Sequence, residues 1–559
     1  MVNPEIVETY TIGKEGFIVA LCESLGIPEI MNQALSFVNG RPPDIPYGVD
    51  AMMMMVNMCD DHMPLSRLHE YYQYKDLESL FHYPIKHEQI NDDRFGGFLD
   101  LFHEAGCKKI FSKIAAKAIT LYGIEVTNIN FDTTSKVMWG LYETYEGTEG
   151  VIKMDFGHSK DKRNDKKQIK FGIGCANGMV VEADVLSGNK DDKTYNTDTI
   201  DALDATLHNL DVDKNNFYYI ADSALFSKKN LDLSSEKDIK LITRIPDSVL
   251  IAREGIEEAV NTLDTLEDIE IINAKGKPIP YRLLEKTCIY QEHELKLAVC
   301  YSPSLKSSKK RTTDKAVTKE MKRITKISKT LSKREFACLE DANREIEKIN
   351  SKEFKKLKYH DISYSLHKEE RRKRGRPSKG KDKKVIGYRY FIEPIPVLNE
   401  EKVRKVINKA CCFVLCSNDL GMAGEALLRE YKTQDSVEKK FQQLKSPQFV
   451  NSIFLESPQR IEAFSYLMLI CMLMLSLAQY VVRRGLAEDD DYIVGPRKTK
   501  MQRPTQRVIY DVFYTVMIRV IRYPDRPWER SYARPLNETI KKILKYLKIP
   551  EDTFIRGSN

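Results

Sequence analysis

The stretch from Tyr431 to Lys445, YKTQDSVEKKFQQLK, concentrates side chains able to do chemistry. It has no Pro or Gly and is rich in helix formers, which predicts a single helix. At about 100° per residue, Tyr431, Gln434, Glu438, Gln442 and Lys445 share a stripe about 80° wide. Val437, Phe441 and Leu444 form an apolar stripe beside it. A carboxylate can hold a hard cation, while a phenol and an ammonium can grip phosphate oxygens. Taken alone, the pattern better describes an ordinary amphipathic surface helix with a solvated polar face. Two further acids stand where strands are expected to end, Asp132 after IEVTNINF and Asp222 after FYYIA. Carboxylates without His or Cys among them favour Mg²⁺ or Mn²⁺ over zinc.

Whether these acids meet depends on the elements that carry them. Residues 1–120 show helix-period apolar positions over 17–35, 49–59 and 95–122, broken by GRPPDIP. The Met-rich run 52–58 reads as core filling. From Ile124 the pattern turns to strands. Gln168–Cys175 and Met179–Val185 flank Asn177-Gly178, a dipeptide that favours a type I′ hairpin. A helix over 195–210, the Asp222 strand, a short helix and the strand KLITR follow. Three strands with the last two a hairpin, then helix, strand, helix, strand, is the element order of a ribonuclease H-like fold. In such a sheet the first and fourth strands are neighbours, so Asp132 and Asp222 converge, and a final helix adds Glu438. Two metal ions about 3.5–4 Å apart in such a site activate water or a 3′-hydroxyl and stabilise the leaving oxygen of a phosphodiester.

The expected architecture is therefore α/β: a ribonuclease H-like core interrupted by a β-containing insertion, with a helical N-terminal domain and a mixed C-terminal segment. The expected division is 1–120 (helical, binding DNA ends), 121–245 (first part of the core), 246–411 (insertion), 412–489 (end of the core) and 490–559 (dimerisation or DNA contact). Phe464–Val482 is apolar enough to suggest a membrane span, but its Ser, Tyr and Gln and its place behind the polar helix favour a buried core helix. Eleven scattered cysteines without a CxxC pair, and no basic-then-apolar start, suit a reducing cytoplasm.

In these motifs the chain resembles the DDE transposases of bacterial insertion sequences, in the insertion-sequence-four superfamily and its 1634-like branch. That superfamily carries Tyr, two residues, Arg, three residues, Glu, six residues, Lys. Tyr431, Glu438 and Lys445 match in register, while Gln434 stands in place of the Arg. NFDTTS around Asp132, GHSKDKR at 157–163, GNKDD at 188–192 and IADSAL around Asp222 match as well. The resemblance covers roughly 120–245 and 410–485. It implies Asp132, Asp222 and Glu438 as catalytic ligands of two Mg²⁺ or Mn²⁺ ions, transposon ends and target DNA as partners, and a homodimer in the synaptic complex. An amide lacks the charged fork of Arg, so this contact to the transposon end is expected to be weaker or to come from Lys432 or Lys439.

Other candidates carry less. His158, Lys160 and Arg163 sit in a loop beside the expected sheet and suit a grip on scissile DNA or plain solvation. Asn189 and Asp191 suit support of the site, or turn and cap roles. The net charge is +7, yet the tract 371–384, RRKRGRPSKGKDKK, alone carries +8. Such local concentration suits a polyanion partner. Arg374 and Arg376 lie in Arg-Gly-Arg-Pro, which resembles an AT-hook core, a minor-groove binder of A·T-rich DNA. A nuclease or resolvase that never joins strands, and a non-catalytic DNA-binding protein, remain as alternative functions.

Overall fold

The computed structural model describes residues 6–39, 43–140, 142, 150–273, 276–375, 382–445, 453, 455–523 and 527–557. A short strand, β1 (Ile6–Thr11), leads into helices Gly13–Ser24, Ile27–Asn39, Tyr47–Cys59, Asp92–Glu104 and Cys107–Tyr122. Strands β2 (Asn128–Val137), β3 (Gln168–Ala176), β4 (Met179–Ser187), β5 (Tyr218–Ala221) and β6 (Lys240–Ile245) follow. After them come β7 (Glu267–Ile272), β8 (Pro278–Tyr290), β9 (His293–Tyr301), β10 (His360–Arg372), β11 (Val385–Leu398) and β12 (Cys412–Ser417).

Nine of these form one mixed sheet in the order β4-β3-β2-β5-β6-β12-β9-β8-β7. β3 runs antiparallel to both β2 and β4, whereas β5 runs parallel to β2 and β6 parallel to β5. The β3–β4 turn has Asn177 at φ 53° and Gly178 at φ 76°, the two positive angles a type I′ turn requires. The strands within 267–301, expected inside the insertion, instead extend this sheet. β12 lies between β6 and β9, antiparallel to both. The pairing of a strand near residue 412 with one near 240 has no local sequence signal.

What stands apart from the sheet is the segment from helix Lys306–Leu331 through helix Leu339–Lys352 to the two-stranded ribbon β10–β11. It has a small core of its own, with Ile324, Leu331, Phe336, Ile349, Phe354 and Ile392. Pro394 and Pro396 are tolerated in β11 because a two-stranded ribbon leaves one side of each strand without a ladder.

Helix Pro458–Glu488 backs the sheet and is the axis of the main core. Ser457 caps it by accepting from Arg460 N, and Pro458 takes the first turn, where a missing N–H is harmless. It packs on β4 and on the helices Tyr47–Cys59, Asp92–Glu104 and Cys107–Tyr122. By length and composition it could cross a membrane, but its apolar window is 89% buried within the fold. Met52 to Met55 and Met58 are buried beside it, unbranched side chains filling irregular gaps. Ser476 Oγ accepts from Val180 N (3.1 Å), tying the helix to edge strand β4. β1 pairs with Met517–Arg522, so the first and last parts of the expected division meet in one small sheet.

One buried charge in the helical region gives a stability test. Asp50 is 2% exposed. Its Oδ1 has no partner, and the Arg94 guanidinium lies 3.6 Å from Oδ2 while donating to Asp44 at 2.6 and 2.7 Å. Burial outweighs Arg94 and pushes the Asp50 carboxyl up to about 7. The folded state then keeps this proton to higher pH than the unfolded chain, so its contribution to stability is lost as pH rises through about 7. Asp50→Asn cannot ionise. It is expected to gain on the native chain between pH 4 and pH 8, by on the order of 4 kcal/mol at full ionisation. Thermal melts at the two pH values check this, and a gap that does not widen would show that Asp50 does not titrate in this range.

Candidate active site

The register of β2 against β5 places the two aspartates. Asn130 pairs with Ile220 and Phe131 with Ala221, and Ile220 pairs onward with Ile242 of β6. Continuing two residues along each strand sets Asp132, Asp222 and Arg244 in one row. Side chains alternate between faces with period two. Phe131 and Tyr219 thus stack on the opposite face, 4.5 Å apart, within the main core. Asp132 does not end its strand as expected: β2 continues to Val137 along β3. It stands instead where the parallel pairing with β5 stops.

The Lys160 ammonium occupies the space beyond that stop. It donates to Asp132 Oδ1 (3.0 Å) and to the Thr133 carbonyl (2.5 Å), and lies 3.6 Å from Asp192 Oδ2. Asp192 in turn accepts from Thr133 Oγ1 (2.6 Å) and lies 3.4 Å from the Lys170 ammonium. Burial pushes the Asp132 carboxyl above its usual range, and Asp222 adds to this, although Lys160 opposes it. Burial acts the same way on Asp192, yet Thr133, Lys160 and Lys170 hold its carboxyl below the usual range. Asp222 is fixed from its own turn: its Oδ1 accepts from Ala224 N (2.9 Å) and its carbonyl from Thr243 Oγ1 (2.7 Å).

The expected single helix 431–445 is two, Gly424–Lys432 and Asp435–Leu444. Between them the chain stays right-handed but closes with i→i−3 bonds, from Gln434 N to Tyr431 O and from Val437 N to Gln434 O. The cause is side-chain chemistry from β2. Thr433 Oγ1 lies 2.6 Å from the Glu430 carbonyl and 3.0 Å from Asn130 Oδ1, and Asn128 Nδ2 donates to Glu430 Oε2 (2.7 Å). Thr hydroxyls that bond backbone carbonyls compete with the helix ladder. The strand bearing Asp132 therefore holds the break, and the break sets the start of the helix bearing Glu438.

On that second helix Val437, Phe441 and Leu444 are buried, as the apolar stripe required, and Glu438 is exposed. Tyr431 is half-buried. Burial raises its phenol pKa; Asp222, Asp132 and Glu438 add to the rise and Arg244 opposes it. All three carboxylates thus act on one hydroxyl. Gln434 is half-buried at the break.

The remaining candidates divide. Lys445 pairs with Asp161 of the 157–163 loop (2.6 Å), next to Lys160. Arg163 pairs with Asp165 (2.8 Å) and lies over Trp139 (5.4 Å). The imidazole of His158 is exposed. Asp191 caps a helix by accepting from Lys193 N and Thr194 N, and Asn189 donates to Asp155, so both take the turn and cap roles. Lys432 lies over Tyr281 and Phe413 and Lys439 is exposed; Arg244, which sequence reasoning did not single out, follows Ile242 by two residues along the aspartate row and donates to Asp247 (3.0 and 3.2 Å). Period-two alternation in KLITR would have found it. Arg374 is exposed beyond β10, and Arg376 lies outside the described residues.

The donor chemistry suits a hard divalent ion: carboxylate oxygens on neighbouring strands, with a cation already drawn to Asp132. Among the described residues, no three His, Cys, Asp or Glu side chains form one metal-holding cluster. Asp132 and Asp222 are neighbouring carboxylates on adjacent strands, and Glu438 stands on the adjoining helix.

A family model described as a domain of unknown function (DUF4277) matches residues 7–116. No curated protein matches the chain. Among solved structures the chain is similar to a piggyBac transposase synaptic complex with hairpin DNA, at TM-score 0.36 and 10% identity, over 89% of this chain and 80% of that one.

Lys160 and a divalent ion would compete for the same Asp132 oxygen. Lys160→Met is expected to tighten Mn²⁺ binding, on the order of tenfold, whereas Asp132→Asn should weaken it. Calorimetric titration with Mn²⁺ measures both. Weaker binding in Lys160→Met would mean that the ammonium supports the site.

Proposed function

We propose that the chain is a DNA transposase with a ribonuclease H-like core, of the insertion-sequence-four type and its 1634-like branch. On this reading it binds the terminal inverted repeats of its element as a homodimer in the bacterial or archaeal cytoplasm, cleaves phosphodiester bonds and transfers the 3′-hydroxyl ends to target DNA. The observation that carries the reading is the row formed by Asp132 and Asp222 at the end of the β2–β5 pairing, with Asn128 and Asn130 of the same strand tied to Glu430 and Thr433 just before the Glu438 helix. The strand order β4-β3-β2-β5-β6, antiparallel then parallel, is the order such a core requires.

In this mechanism Asp132, Asp222 and Glu438 hold the catalytic ions. When bound, two Mg²⁺ or Mn²⁺ ions activate the attacking oxygen and neutralise the leaving one. The chain's own part is positioning. Arg244 presents a guanidinium in the aspartate row and supplies the fork that Gln434 lacks. The Tyr431 phenol, kept protonated, donates a hydrogen bond to a phosphate oxygen. Lys160 and Lys445, each held by an aspartate in the absence of DNA, turn to the scissile strand when its phosphates offer a denser negative partner.

Asp132→Asn, Asp222→Asn and Glu438→Gln are each expected to abolish Mg²⁺-dependent cleavage of terminal-repeat DNA while changing its affinity less than about threefold, because each removes a metal ligand and leaves the phosphate-binding cations in place. Retained cleavage in any one removes that residue from the set. Joining of the cut 3′ end to a second duplex, read on a gel, separates transposition from nuclease action. Arg244→Ala should weaken binding of the cleaved end, by about 1.5–3 kcal/mol if a charged hydrogen bond is removed, and Gln434→Arg should leave end affinity equal or improved. For the basic tract, Arg374→Ala with Arg376→Ala should reduce affinity for A·T-rich duplexes more than for G·C-rich ones. Equal reductions would make the tract a general phosphate binder.

A further inference from the structure

Helix Lys306–Leu331, outside the central sheet, is strongly one-sided. At 100° per residue Arg311, Lys315, Lys319, Lys322, Lys326 and Lys329 fall within about 80°, on a line about 27 Å long. All six are exposed, and among the described residues none forms an ion pair. Arg323, at the margin, is the exception and meets Glu353 (3.3 Å). The helix has just two acids, Asp314 and Glu320, and neither lies on the line. Glu320 is turned inward, accepting from the backbone N–H groups of Lys358 (2.9 Å) and Tyr359 (3.0 Å) and facing His360 Nδ1 (3.0 Å). Like charges three and four residues apart repel along a helix, and of its two acids only Asp314, three residues after Arg311, is placed to offset one of them.

We propose that this line is a docking surface for the sugar–phosphate backbone of duplex DNA, separate from the aspartate row and from the tract 371–384. The argument is charge complementarity and shape. A straight, rigid line of about 27 Å spans about eight base pairs at 3.4 Å each, and its ammonium groups recur about once per helical turn. A basic amphipathic helix can also lie on an anionic membrane, but that mode buries the apolar face in lipid. Here that face is already covered: Ile324 and Leu331 are packed with Ile349, Phe354 and Ile392. Single-stranded nucleic acid is held through aromatic platforms, whereas the side chains that flank these cations are Ser308, Thr312, Thr318 and Thr330. Cations laid along the phosphates contribute affinity and orientation without sequence preference.

The inference rests on the reading of DNA as substrate, and the test separates the two. The full chain and the variant Lys315→Gln, Lys319→Gln, Lys322→Gln, Lys326→Gln are titrated with a labelled 30-base-pair duplex at several salt concentrations. All four side chains are exposed, so an unchanged thermal melt certifies the fold. The expected result is a salt slope smaller by about 0.9 for each phosphate no longer neutralised, and affinity at least about tenfold weaker near 0.1 M salt. A native chain that binds the duplex with the same slope and affinity as the variant overturns the surface and leaves the proposed function standing. No duplex binding by the native chain overturns both. A reduction confined to a single-stranded RNA probe also overturns the surface, and assigns the line to RNA.

Discussion

Two half-buried carboxylates side by side on parallel strands impose the constraint around which this molecule is arranged. The pairing of Phe131 with Ala221 leaves no choice about it: the next residues are Asp132 and Asp222, and both point to the same face. Such a pair is unstable as two bare anions. The surrounding cations follow from that. Lys160 reaches in from the 157–163 loop, Arg244 continues the row on β6, and Lys170 holds Asp192 one step further out. The loop is thereby tied to the strand, and Asp161 beside Lys160 ties the same loop to Lys445 at the far end of the Glu438 helix. Helix, loop and strand are closed into one ring of charge.

Much of this was legible in the sequence because it is local. The Asn177-Gly178 hairpin, the buried apolar stripe of the 435–444 helix, the core helix 458–488 and the strands bearing Asp132 and Asp222 all announce themselves through turn residues or periodicity. The failures are all cases of distant residues overriding local preference. Nothing in YKTQDSVEKK hints at a break, since Thr and Gln are tolerated in helices; the break follows from Asn128 and Asn130, about 300 residues earlier. Strands β7 to β9 resemble an insertion in sequence order and are an extension of the sheet in space, because β12 joins them to β6. The role of Lys160 needed the loop to fold back on β2, which no spacing reveals.

The Glu438 helix also carries a feature that its polar stripe conceals. Lys440, two residues on, is 5% exposed, and burial pulls its ammonium down to about 8, close to Cys175 of β3. At this core position the whole side chain is withdrawn from water, the ammonium included, and its aliphatic stem adds to the apolar packing. The helix is thus held against β2 and β3 by Val437, Phe441 and Leu444 together with an aliphatic stem, which fixes its rotation and hence the direction of Glu438.

The position of β12 has a consequence for how the chain is made. Before residues 412–417 leave the ribosome, β2 to β6 and β7 to β9 are two half-sheets. Each ends in an unsatisfied edge, at β6 and at β9, and each edge is a template for wrong pairing. At synthesis rates of about 5–20 residues per second, the 110 residues from Ser302 to Cys411 keep these edges open for many seconds. The segment 306–398, with its own small core, can fold during that delay and keep its length compact. β12 then closes the sheet, and the helix bearing Glu438 emerges directly after it. Glu438 therefore joins Asp132 and Asp222 among the last events of biogenesis.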